Sequence, residues 1–132
     1  MLAPRGRDTS RQTDEVAIGF GIRSVEDTIT ATAGGTKAAA YQLTAQNNRI
    51  SVCATNADSV LLPQGKVGLQ VEIHNDGAAN AQVFGKGTDT IDAIATGTGV
   101  VLSAAKRAVY SCWSVSAAGV GAWTSNMGVV SA

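Results

Sequence analysis

Gly, Asn and Asp clusters recur along this chain at intervals of about ten residues: "AGGT", "QNNR", "TNAD", "PQGK", "NDGA", "GKGT" and "TGTG". An isolated helix needs about 12–15 uninterrupted residues to hold together in water. The segments between the clusters are shorter, and they alternate apolar with polar side chains, the period of a half-buried strand. Val67, Leu69, Val71 and Ile73 alternate with Gly68, Gln70, Glu72 and His74, which predicts a strand with the first four in the core. "NDGAAN" then supplies Asp76-Gly77, a pair suited to the positive φ of a tight hairpin, and "AQVF" returns.

The same pattern covers most of the chain. Thr28, Thr30 and Thr32 alternate with Ile29, Ala31 and Ala33 up to Gly34-Gly35. "RISVCAT" sets Ile50, Val52 and Ala54 on one face against Ser51, Cys53 and Thr55. "DSVLLP" ends at Pro63, "IDAI", "GVVLS" and "KRAVYSCWSV" read as further short strands, and "AAGVGAWTSNM" reads as a hairpin carrying Trp123. Only "TKAAAYQL" has competing helix propensity, and it is too short to stand alone. No helical period separates the strands and no fixed-period repeat stands out, so the expected fold is all-β: an antiparallel β-sandwich or barrel, jelly-roll-like, over residues 27–132. Residues 1–26 are expected to form an extended N-terminal arm. Their first fifteen are polar, charge-mixed and aperiodic, a composition that orders only on a partner. "VAIGFGI" (16–22) reads either as a strand docking on a neighbour or as an edge strand of the same domain.

Charge narrows the range of functions. Asp, Glu, Lys and Arg make up 15% of the 132 residues, against about 25% in ordinary globular proteins. Ten basic residues balance ten acidic ones, which removes the long-range attraction that sequence-independent nucleic-acid or anionic-membrane binding needs. Neither partner is expected. Weak self-repulsion suits a chain that neighbours cover. No apolar run resembling a secretory signal follows the early arginines, so the protein is expected to be made and kept in the cytoplasm, with Cys53 and Cys112 as reduced core residues.

The parts of an enzyme are missing. His74 is the only histidine, alternation turns it away from Val71 and Ile73, and no G-x-S-x-G elbow accompanies it. "GKGTDT" lacks the Lys-Ser/Thr and the helix of a phosphate loop. Asp89 and Asp92 read as solvated turn carboxylates and Trp113 as a core residue, while Trp123, near a Gly-rich hairpin, is a candidate interface residue. No catalytic, cofactor or metal residue is assigned.

"ATNADSVLLP", "VGLQVEIHNDGAANAQVFG", "GTDTIDAIATGTGVVL" and an ending of the form Y-x-C…AWT together resemble small virion structural proteins encoded by tailed bacteriophages. The likeness runs from about Ile29 to Ser125. It implies a non-enzymatic head decoration or cement protein on the capsid surface, assembled in the host bacterial cytoplasm. Its implied partners are the major capsid protein and copies of itself, as a homotrimer where capsid subunits meet. The alternative is a neck, tail or fibre module that takes part in host adsorption. On the cement reading the arm grips the shell, with Arg5, Arg7 and Arg11 pairing with shell carboxylates and Val16, Ile18, Phe20 and Trp123 making apolar contact.

Overall fold

Ten strands and no helix make up the computed structural model, which describes residues 22–127. They are β1 (Val25–Thr30), β2 (Tyr41–Gln42), β3 (Asn47–Val52), β4 (Asp58–Leu61), β5 (Gln70–Asn75), β6 (Ala81–Phe84), β7 (Thr90–Ile91), β8 (Val100–Leu102), β9 (Lys106–Val115) and β10 (Gly121–Met127). They form two sheets, β1-β3-β5-β9-β10-β7 and β2-β4-β6-β8. The sheets share one core, to which Ile29, Ile50, Val71, Ile73, Tyr110 and Trp123 contribute from the larger sheet and Val60, Val83 and Leu102 from the smaller. The all-β expectation stands as a two-layer sandwich.

The pairing is not the antiparallel one expected. Five of the eight strand pairings are parallel, among them β1 with β3, β3 with β5, β2 with β4 and β4 with β6. The reason lies in the connections: up to β9, each strand lies in the opposite sheet from the one before it. Over β1–β6 a chain that crosses between layers at each turn returns to its first layer running in its original direction, so β1, β3 and β5 pair in parallel, as do β2, β4 and β6; beyond β6 the direction reverses, and β8 with β6 and β9 with β5 pair antiparallel. β1, β3 and β5 therefore stack as successive coils, with Val25 beside Asn47 and Asn47 beside Glu72. This structural repeat has no counterpart in the sequence, because the crossing turns differ in length and composition.

Asp76-Gly77 belongs to such a crossing and makes no hairpin. β5 and β6 lie in different sheets, and Gly77 has no positive φ. A side chain is excluded there by packing: a Cβ on Gly77 would lie 2.5 Å from both the nitrogen and the Cβ of Cys53, in the crossing one coil earlier. The crossings bind each other through main chain and asparagines. Ala79 N–H donates to Cys53 O and Ala57 N–H to Asn80 O, both at 2.9 Å. Asn80 N–H donates to Asn56 Oδ1, and Asn80 Oδ1 accepts from Ala104 N–H, each at 3.0 Å. Asn75, fully buried, donates to the carbonyls of Ala79 and Leu102 and accepts from Gly77 N–H, which completes its amide inside the core.

Three further expectations change. Alternation ends early in β3, so Ile50 is buried but Val52 is exposed where the chain leaves the sheet. β5 begins only at Gln70, so Val71 and Ile73 are in the core, Leu69 packs at its border, and Val67 is 70% exposed. The helix-prone "TKAAAYQL" brings no such change: it forms a turn followed by β2, without a helix. Residues 25 and 26, assigned above to the arm, are the first two of β1 and pair with Asn47 and Asn48.

Candidate docking face

β9 is the strand that builds the outer face. Its inward positions are occupied by Ala108, Tyr110 and Cys112, so Arg107, Val109, Ser111 and Trp113 point the other way. Registration with β5 places Ser111 beside Gln70, Val109 beside Glu72 and Arg107 beside His74, and β3 adds Arg49 next to His74. Arg49, His74 and Arg107 thus form a row across three strands.

The two tryptophans exchange their expected places. Trp113 is 69% exposed, and its Nε1–H donates to Thr124 Oγ1 at 2.7 Å, which fixes the indole against the sheet. Beside it lies an open, mainly apolar depression of about 250 Å³ lined by Val67, Gly68, Gln70, Ser111, Cys112 and Trp113. Trp123, a candidate contact residue above, is 1% exposed and belongs to the core. β10 turns it inward, and its Nε1–H donates to Asp89 Oδ2. The other candidate contacts, Arg5, Arg7, Arg11, Val16, Ile18 and Phe20, lie outside the described residues.

Asp89 is likewise not a solvated turn carboxylate. It is 1% exposed, and its oxygens accept from Gly65 N–H at 2.8 Å, Gly121 N–H at 2.7 Å and Trp123 Nε1–H at 3.3 Å. Its role is to join the "PQGK" turn, the "GKGTDT" turn and β10. Asp92 accepts from the backbone N–H and hydroxyl of Ser125 at an exposed site, as expected of a turn residue. Cys53 and Cys112 are buried and neither is in a disulfide. Burial pushes both thiols, and the Tyr110 hydroxyl, above their ordinary pKa values.

The charges of the outer face are unevenly matched. Arg49 Nε lies 3.0 Å from Asp27 Oδ1, and its Nη1 lies 3.6 Å from Asp76 Oδ2. His74 Nε2 lies 2.5 Å from Glu72 Oε2. Arg107 forms no ion pair with another described residue. It borders a second open depression, of about 410 Å³, together with Glu72, Ala108, Val109 and Asn126. Trp113 and Arg107 therefore mark two hollows that follow one another along β9.

Among the described residues, no three His, Cys, Asp or Glu side chains gather as metal ligands, and no helix is long and apolar enough to cross a membrane. Alternation along "RAVYSCWSV" carries the signal for the exposed indole, since Trp113 shares its parity with Arg107 and Ser111. Neither a family model, nor a curated protein, nor a solved structure matches the chain.

Proposed function

We propose that this chain is a non-enzymatic virion structural protein of a tailed bacteriophage, a decoration or cement protein that binds the outside of the capsid shell and reinforces contacts between major capsid subunits. The observation that carries the reading is Trp113: a large apolar side chain, exposed yet hydrogen-bonded to the sheet, beside an open apolar hollow. Trp and Arg are enriched among the residues that dominate protein interfaces, and a fixed aromatic loses little freedom on docking. The low charge of the whole chain and the likeness from Ile29 to Ser125 support the same reading.

The mechanism is additive. A shell under internal pressure fails where subunits part, and a protein that touches two or more of them adds contacts that must break together, so individually weak contacts gain by avidity. On this reading the protein works as a homotrimer on the capsid surface, with the residues ahead of β1 as a tether and Arg5, Arg7 and Arg11 meeting shell carboxylates. Co-sedimentation of the purified protein with expanded, empty shells tests it. Binding that raises the temperature at which the shells rupture is expected; a protein left in the supernatant contradicts the reading. One observation favours an adsorption module instead: Trp113 has Gln70, Ser111 and Thr124 around it, an aromatic face with an amide and hydroxyls suited to a sugar ring. Binding on a glycan array, with none to shells, would select that alternative.

A further inference from the structure

We infer that the outer face of the six-stranded sheet takes an extended acidic-apolar segment of the shell protein, laid along β9, with an apolar side chain in the hollow beside Trp113 and a carboxylate on Arg107. The inference rests on the cement reading and names the chemistry of the partner.

Three observations lead to it. Trp113 and Arg107 are on the same face of one strand, six residues apart, which at strand rise is about 20 Å, the reach of a comparable stretch of extended partner chain. The hollow beside Trp113 is lined by uncharged residues, two of them Val67 and Gly68, so it suits an aliphatic or aromatic side chain and excludes a charge. At the other end, Arg107 has no ion-pair partner among the described residues, whereas Arg49 in the same row is held by Asp27 and Asp76, and Glu72 lies against His74.

Charge also decides against a second copy as the occupant. Two equivalent faces meeting about a two-fold axis would bring Arg107 against groups of the same face, where the carboxylates Asp27, Asp76 and Glu72 already face Arg49 and His74. A carboxylate supplied from elsewhere has no such conflict, and arginine receives it through two parallel N–H donors.

The test uses the full chain and empty, expanded shells of the phage that encodes it. Trp113→Ala and Arg107→Glu are each expected to weaken co-sedimentation about tenfold or more, Arg107→Lys to weaken it less, and Lys86→Glu, in an exposed turn, to leave it unchanged. Added salt should weaken the wild type more steeply than Arg107→Glu. Circular dichroism and denaturation midpoints should match the wild type, since both side chains are on the surface. If the wild type binds and both variants bind equally well, the inference fails while the cement reading stands. If the wild type does not bind, both fail. Two outcomes also overturn the inference with shell binding intact: loss of glycan-array binding in Trp113→Ala, which assigns the hollow to a sugar, and a fall in oligomeric mass, which assigns the face to a second copy.

Discussion

Asp89 and Trp123 are hydrogen-bonded to each other in the core, the indole Nε1–H donating to Oδ2 at 3.3 Å while the same carboxylate accepts from Gly65 and Gly121. Glycine is required at both backbone donors, because a Cβ on Gly65 would lie 2.8 Å from Asp89 Oδ2 and one on Gly121 2.9 Å from its Cγ. Truncation by Asp89→Ala leaves three buried donors without an acceptor, and the expected cost is about 3–5 kcal/mol. Asp89→Asn keeps one oxygen but turns an NH₂ toward backbone N–H groups, so it is expected to cost about 1–3 kcal/mol. Urea denaturation of both variants measures the difference.

The tryptophans should separate in both stability and fluorescence. Trp123→Ala empties a core site and is expected to cost about 3–5 kcal/mol, whereas Trp113→Ala removes an exposed ring and should stay within about 1 kcal/mol of the wild type. Acrylamide should quench Trp113 readily and Trp123 only after unfolding, so Trp113→Ala leaves a blue-shifted emission that resists quenching.

Gly77 tests the stacked crossings. Gly77→Ala forces a methyl against the Cys53 backbone one coil away and should destabilise by about 1–3 kcal/mol. Gly97→Ala, where nothing lies within 4 Å of the added atom and no positive φ is required, should stay within about 1 kcal/mol of the wild type. Chemical denaturation of the pair checks that approach distance, not glycine content, sets the cost.

Stability should also fall on the alkaline side. Burial raises the Tyr110 hydroxyl above its ordinary 10.0 and the Cys53 and Cys112 thiols above their ordinary 9.0, so the folded state keeps protons that the unfolded chain releases. Their contribution is complete below those ordinary values and is lost as pH rises through and beyond them. The urea midpoint is expected to hold from neutral pH to about 8.5 and then to decline, and Tyr110→Phe should flatten the decline above about pH 10.

Parity was the most legible feature of the sequence. Val71 and Ile73 faced inward and His74 outward as their alternation implies, and β9 spans the whole of "KRAVYSCWSV". Pairing partners were not legible: Asp76-Gly77 has the composition of a hairpin, and only contact with Cys53 shows that it crosses between layers. Asp89 misled for a related reason. Its acceptors' donors come from residues 65, 121 and 123, so no local window contains the cage that buries it. Of the docking face, Trp113 was within reach, since Ser111 and Arg107 share its parity, but apolar neighbours in "YSCWSV" suggested a core position.

Quantitative mass spectrometry of the purified phage particle tests most directly whether the chain serves the shell. The account predicts a copy number in fixed proportion to the major capsid protein, with Trp113 shielded from oxidative labelling on the particle and labelled in the free protein. About a dozen copies per particle, the number of a neck or tail ring, or no copies at all, would contradict it.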